Sequence, residues 1–349
     1  MNSLRFQEKV TSFFLNKRWC LCRCQSCGEH FLAKNPANKC CRYVCTGRVG
    51  ELVQHKKPRL WVANAITRYF EDKGYIRKSF PNVNNPAGDT TFISAAVQIY
   101  NDMLLGTKPL CQRSVLSLQP CVRLKKHPHI SNGFLRSFVN VATLKLGATP
   151  DMFCLFVDDW IGFLSRIGIH ATNLNLVFCS EHINICGMYQ GWGIDLAFDG
   201  LELGRCNYYD KVLYKSRRLI QGIDCGFCVE RLKWVVEGGE FTGAICPTDM
   251  PVKAQTQYAE TEDILRTIVL VIMSGIIPGA RGERFQLKRL FESYLCNPSA
   301  LALLDGNASY YYDTWRPFLR VAVSRNRCIE MIHNIVRKYW LKFIDESKL

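Results

Sequence analysis

No run of this chain is apolar for long enough to cross a bilayer. The stretch through Ile268, Val271, Ile272 and Ile277 falls well short of the ~20 residues a spanning helix needs. Its first residues, Met1 to Lys9, lack the uninterrupted apolar core of a secretory signal. Glu8 lies where a mitochondrial presequence avoids acids. There is no internal repeat and no low-complexity tract, and 48% hydrophobic with 21% charged residues excludes a disordered chain. The expectation is a cytoplasmic protein with no membrane association.

Acid is also scarce. Thirty Asp and Glu stand against 45 Lys and Arg, for a net charge of +15. A basic surface of this size suits a polyanion, because clustered cations displace counterions from phosphates; the alternative is a basic surface kept for solubility. At 349 residues the chain can bury one large core and a smaller one. The expected division is an N-terminal element over 1–55, a central domain over 56–245 and a helical, basic domain over 246–349.

Cysteine is abundant, at 18 residues, but seven of them crowd between Cys20 and Cys45. The rest are scattered among apolar neighbours, which points to a reduced compartment with one local metal site. Cys24 and Cys27 form a close pair, and Cys40 and Cys45 follow at spacings of twelve and four intervening residues. Four thiolates in two pairs suit a closed, tetrahedral Zn²⁺ site of structural type. Cys20, Cys22 and Cys41 compete as ligands, and His30 is a poorer one.

Residues 1–18 predict an amphipathic helix with Phe6, Val10, Phe13 and Phe14 on one side. A second helix runs from Trp61 to Phe70 and ends before Gly74. Strand-like runs then recur at Thr91–Ile93, Cys121–Leu124, Phe138–Leu146, Phe153–Phe156, Leu174–Phe178, Leu201–Tyr209 and Arg218–Asp224, broken by helices at 94–105, 159–167 and 227–236. This pattern predicts an α+β domain with a mainly antiparallel sheet. Helices follow to the end, over 260–277 and 318–343. The last places Ile329, Ile332, Val336, Tyr339 and Phe343 on one face, among Arg316, Arg320, Arg325 and Arg327.

Three further segments carry chemistry. Around Asp224-Cys225-Gly226, a strand is expected to end at an acid, a glycine to turn the chain, and a helix to open with Glu230-Arg231. An aspartate so placed can hold an ammonium, and an arginine at a helix start can bind phosphate. The bland alternative makes Asp224 a helix cap and Arg231 a surface cation. Arg123 ends a short strand before the basic loop Lys125-Lys126-His127. Glu202, between Gly200 and Gly204, puts a carboxylate where Mg²⁺ could sit beside phosphates.

In this order the pieces resemble archaeal-type alanyl-tRNA synthetase, from roughly residue 12 to residue 292. The cysteine knuckle with Phe31 and Pro36 is similar to that family's zinc element, and Phe70 to Tyr75 to its first helix end. Cys121-Val122-Arg123 with Phe138-Val139 resembles its motif 2, and Gly200 to Gly204 a run typical of the archaeal branch. Asp224 to Arg231 resembles its motif 3. Arg266, Gly275, Ile276, Pro278, Leu287 and Arg289 resemble the start of its helical tRNA-recognition module.

The resemblance implies a class II aminoacyl-tRNA synthetase-like antiparallel sheet with flanking helices, a small zinc element and a C-terminal helical module. The implied activity is ATP-dependent activation of alanine or a similar small amino acid, with transfer to the tRNA acceptor stem. Arg123 would bind the α-phosphate, Phe138 lie near the adenine, Glu202 near Mg²⁺, and Arg231 at the γ-phosphate. Asp224, with Gly226 beside it, would anchor the amino group. Several positions depart from the family. Gly133-Phe134 replaces an Arg-His pair, Cys186 to Tyr189 a glycine-rich run with Asn, and Arg205 an asparagine. Cys228 replaces a glycine, and Ala280 the asparagine that reads the acceptor stem. The family's Asp-His pair is Asp263-Ile264 here. Its editing domain and C-terminal oligomerisation region have no counterpart. These departures keep open a ligase that passes the acyl group to a small molecule or carrier, and an inactive binding module.

Overall fold

A computed structural model describes residues 3–42, 59–78, 82–84, 90–100, 113–124, 130, 133–179, 183–185, 189–212, 220–247, 249–297 and 300–346. It divides into two compact units. The first comprises Met1–Ser79, Ala95–Leu118 and Asn140–Gly239; the second comprises Phe80–Ser94, Gln119–Val139 and Glu240–Leu349.

The N-terminal helix α1 spans Ser3–Leu15 and buries Phe6, Val10 and Phe14. A hairpin of β1 (Cys20–Arg23) and β2 (His30–Ala33) follows. Helix α2 (Arg59–Asp72) leads to the short β3 (Ile76–Arg77), a 3₁₀ turn at Ala96–Tyr100, β4 (Val115–Val122) and β5 (Ser137–Leu146). After α3 (Pro150–Arg166) come β6 (Leu174–Phe178), β7 (Ile183–Ile185), β8 (Tyr189–Phe198), β9 (Leu201–Val212) and β10 (Ile220–Cys228). The strands form one ten-stranded sheet in the order β1-β2-β6-β8-β9-β10-β5-β4-β3, with β7 on β8. Of the described registers only β3 with β4 is parallel. The α+β class with a mainly antiparallel sheet and flanking helices is what the structure shows.

Several details differ from the sequence reading. Phe153–Phe156 is helix rather than strand. Thr149 caps α3, its hydroxyl accepting from Met152 N at 3.4 Å, with Pro150 in the first turn. The helix buries Phe153, Cys154, Phe156, Val157 and Trp160, and so apolar a face hides the 3.6-residue period in a short window. Strand β8 has no counterpart in the sequence reading, because Gly191, Gly193 and Asp195 break its apolar alternation. Finally, Cys24 to Arg42 does not stand apart as a separate element: β2 pairs with β6, Leu32 opposite Leu176, so the N-terminal segment extends the sheet.

One face of the sheet is dry. Trp160 of α3 stacks on Phe227 at 3.9 Å between ring centroids and donates its indole N–H to Thr143 Oγ1 at 2.7 Å. Phe6 packs on Phe153 and Tyr208. A Cβ at Gly204 would fall 2.4 Å from the Phe227 ring, so only glycine admits that ring here.

Helix α4 (Val229–Glu237) follows β10 in the first unit. The second unit holds a short turn of helix, α5 (Thr242–Ile245), and α6 (Val252–Met273), α7 (Gly282–Leu295), α8 (Ala300–Trp315) and α9 (Arg325–Glu346). Helix α6 is buried along Thr261–Met273. Arg266 is 1% exposed: its guanidinium donates to the Ser137 carbonyl and lies 4.9 Å from the Trp315 ring centroid. Asp263 accepts from Arg136 Nη1 at 3.0 Å. The last helix begins at Arg325, so Arg316 and Arg320 precede it. Its apolar face does pack, through Cys328, Ile332 and Val336. No described helix is long and apolar enough to cross a membrane.

Candidate active site and cysteine cluster

Strand β10 does not end at Asp224, and Gly226 makes no turn. The strand runs on to Cys228, and α4 starts at Val229 with Cys228 as its N-cap. Asp224 is therefore mid-strand and is not the helix cap. It faces Leu144 of β5 and Asn207 of β9 across the ladders, and the Tyr209 hydroxyl donates to its Oδ2 at 3.2 Å. Asn207 Nδ2 donates in turn to Tyr209 Oη at 3.2 Å. Burial, then the neighbouring Asp224, push the Tyr209 phenol well above its ordinary pKa, so it stays a proton donor at neutral pH.

Gly226 lies opposite Ala142 and Arg205. A Cβ there would approach Asn140 Nδ2 to 3.2 Å. Asn140 is itself fixed: its Nδ2 donates to Phe227 O at 3.1 Å and its Oδ1 accepts from Ala96 N at 2.8 Å. The glycine keeps the strand smooth beneath that amide.

Arg231, in the first turn of α4, reaches back to β9. Its Nη1 donates to the Glu202 carbonyl at 2.6 Å and lies 3.7 Å from Glu202 Oε1. The carboxylate suggested for Mg²⁺ is thus already beside a cation. Arg205, which stands where the resembling family has asparagine, grips Asp195: Nε to Oδ1 at 2.5 Å and Nη2 to Oδ2 at 3.2 Å. Arg42 adds Nη2 to Asp195 Oδ2 at 3.1 Å.

The second unit holds Arg123 and Phe138. Arg123 follows the end of β4, where its backbone N–H donates to Arg136 O at 2.7 Å. Its Nε donates to Ser94 O at 2.8 Å, and its guanidinium lies 4.8 Å from the Phe138 ring centroid. This cation–π contact covers the ring that was expected to meet adenine. So Arg123 meets Phe138, Arg231 meets Glu202, and Asp224 meets Tyr209. Residues 125–127 and 186–188 lie outside the described residues.

Asn207, Tyr209 and Asn140 were missed in the sequence. The signal available was Arg205, Asn207 and Tyr209 at every second position of one strand, a polar stripe on a single face.

At the sheet edge, Cys24, Cys27 and Cys41 bring their sulfurs within 4.8 Å of one another. Cys27 and Cys41 are 3.6 Å apart. The turn between them depends on Gly28 at φ 76°, a left-handed conformation that favours glycine. Cys41, a competing ligand in the sequence reading, takes a place in this cluster. Cys40 packs beside them, and burial raises its pKa, with Cys24 next in effect; Cys45 lies outside the described residues. Burial pulls the Cys24 thiol upward, but the amides of Cys27, Cys41 and Ser26 outweigh it and bring the pKa down to about 6. Thiolates this close suit three corners of a tetrahedral zinc site.

No protein-family model matches the sequence, and no curated protein matches it. Among solved structures, two of pyrrolysyl-tRNA synthetase from Desulfitobacterium hafniense are similar to this chain. One has a TM-score of 0.41 at 14% identity, covering 50% of this chain and 68% of that one. The other has a TM-score of 0.41 at 15% identity, covering 52% of this chain and 70% of that one.

Proposed function

We propose that this chain activates a small, alanine-like amino acid with ATP to an aminoacyl-adenylate and transfers it to tRNA. In this reading it works as a class II synthetase-like ligase. Residues 1–55 stabilise the sheet edge around zinc, 56–245 carry the chemistry, and 246–349 face the acceptor stem. The observation that carries the reading is the β9–β10–α4 unit. There a buried aspartate and a phosphate-competent arginine belong to one strand and the helix it feeds, and Arg231 is steadied by Glu202 at 2.6 Å and 3.7 Å.

Each residue then has a task. Asp224 holds the ammonium, whose own charge is costly to bury unpaired, and Gly226 keeps the strand surface beside it low. Arg231 binds the γ-phosphate, while Glu202 orients it and stands near Mg²⁺. Arg123 binds the α-phosphate; a purine stacks on Phe138 in place of the guanidinium, which frees that arginine for phosphate. The carboxylate attacks the α-phosphorus in line and pyrophosphate leaves, so catalysis is positioning and charge stabilisation. The zinc, held by Cys24, Cys27 and Cys41 with Cys40 or Cys45 as the fourth ligand, is structural.

A second reading keeps the adenylate but passes the acyl group to a small molecule or carrier. The burial of Arg266 against Trp315 favours it, because that arginine is withdrawn from any RNA. ATP–pyrophosphate exchange with glycine, alanine, serine and larger amino acids tests the adenylation step. Absence of exchange with every amino acid sinks it and leaves an inactive binding module. Charging of total tRNA then separates the first reading from the second.

A further inference from the structure

Arg123 and Arg136 face each other where the pairing of β4 with β5 ends. Arg123 gives its backbone N–H to the Arg136 carbonyl at 2.7 Å. In an antiparallel pair that exchanges both hydrogen bonds, Arg136 would return its own N–H to the Arg123 carbonyl. It donates that N–H instead to the Asp263 carboxylate, 3.1 Å from Oδ2 and 3.3 Å from Oδ1. The same carboxylate accepts from Arg136 Nη1 at 3.0 Å, so it holds this residue by main chain and side chain together.

Asp263 is 1% exposed, and it works beside its neighbours on one side of α6. Residues three and four apart on a helix lie together, and Asp263, Arg266 and Thr267 meet two consecutive residues, Arg136 and Ser137. The Arg266 guanidinium donates to the Ser137 carbonyl, and the Thr267 and Ser137 hydroxyls lie 2.8 Å apart. Glu260, largely exposed, takes Arg136 Nη2 at 2.7 Å. Arg266 Nη1 stands 3.8 Å from Asp263 Oδ1, too far for a hydrogen bond. The directed bonds of this buried carboxylate therefore go to Arg136, whose carbonyl sets the backbone of Arg123, while Arg266 and Thr267 hold Ser137.

We propose that Asp263 is a positioning residue for Arg123: by taking the Arg136 N–H it ends the ladder at Arg123 and fixes the point from which that guanidinium reaches phosphate. This rests on the reading of Arg123 as a ligand of the ATP α-phosphate. A cation whose backbone is fixed in advance needs less reorganisation when phosphate arrives, and charge placed beforehand is what lowers the barrier to phosphoryl chemistry. Asp263 touches no substrate in this scheme, and its effect on ATP exists only through Arg123.

The test uses the full chain in a double-mutant cycle of Asp263→Asn with Arg123→Ala, read by pyrophosphate exchange and by melting temperature. The asparagine keeps the shape of the aspartate but loses its charge and one acceptor. Alone it should lower kcat/KM for ATP ~10-fold while leaving the amino-acid KM unchanged. In the Arg123→Ala background the same change should cost less than ~2-fold, because the residue it acts through is gone. Any fall in melting temperature should be the same in both backgrounds. A structural role predicts equal kinetic losses with and without Arg123, and that result overturns the proposal. So does an unchanged kcat/KM for ATP in folded Asp263→Asn. Should that variant not fold, Arg136→Met, which loses the side-chain bonds to Asp263 and Glu260, enters the same cycle under the same criterion. Near-wild-type exchange in Arg123→Ala alone refutes the Arg123 reading and takes this proposal with it; a crippled Arg123→Ala beside equal losses spares that reading and removes only this proposal. If no amino acid supports exchange, ATP affinity by calorimetry replaces kcat/KM in the cycle, and ATP binding that is absent, or indifferent to Arg123→Ala, sinks both.

Discussion

Neighbouring residues of β9 and β10 live in opposite chemical worlds. Cys206, Tyr208 and Phe227 face the helix-covered side, where Trp160 stacks at 3.9 Å and Phe6 packs on Tyr208. Asn207, Tyr209 and Asp224, each an odd number of residues away along its strand, face the other side and form a hydrogen-bonded chain with two links of 3.2 Å. The difference teaches how such a sheet can hold polar groups under cover. The dry face fixes the strand register, and a fixed register holds the buried polar groups of the other face in their hydrogen-bonded places. Stability should therefore reside on one face and ligand chemistry on the other.

The largest effect should come from the dry face. Trp160→Ala removes the stack on Phe227 and the bond to Thr143, and should cost ~3–5 kcal/mol in urea unfolding; a loss below ~1 kcal/mol would break the comparison at its base. Next come the two arginines proposed to bind phosphate. Arg123→Ala and Arg231→Ala should each cut pyrophosphate exchange ~10²-fold or more, the loss of a charge-assisted contact made in the transition state. Near-wild-type rates in both would mean these arginines do not meet ATP.

Asp224→Asn sharpens the contrast, because it keeps shape and can still accept from Tyr209. The KM for the amino acid should rise ~10-fold or more, while unfolding free energy moves by ~1 kcal/mol or less. Equal losses in stability and kinetics would show that the two faces are not separable. The smallest shift in global stability belongs to the sheet edge. Purified protein should carry about one zinc per chain. Replacing Cys24 and Cys27 together by Ser should abolish it and expose the amides of β1 and β2 to hydrogen exchange, with less change in global unfolding than Trp160→Ala. Zinc retained after that double change would move the site elsewhere.

Much of the fold was legible residue by residue. The spacing of Phe6, Val10 and Phe14 marked α1, and Leu174–Phe178 was a strand as read. What escaped was β8, whose glycines meet needs set by another strand: a Cβ at Gly191 would fall 2.0 Å from Tyr208 O. No local pattern announces a close approach made by residues seventeen positions away. The candidate site was half legible for the same reason. Asp224 and Arg231 stood out by charge beside a helix start, whereas Asn207 acquires meaning only from lying opposite Asp224.

By itself, then, the sequence determined the class of the fold, the clustering of cysteines near the N-terminus and the chemical identity of the charged candidates, because composition, period and spacing are local properties. Tertiary structure alone decided which of those groups meet. It put Cys41 beside Cys24 and Cys27, withdrew Arg266 under Trp315, laid Arg123 over Phe138 and joined Asn207 to Asp224 through Tyr209. Contacts of that kind depend on strand register and helix placement, which are settled by the packing of the whole core and not by any short window of the chain.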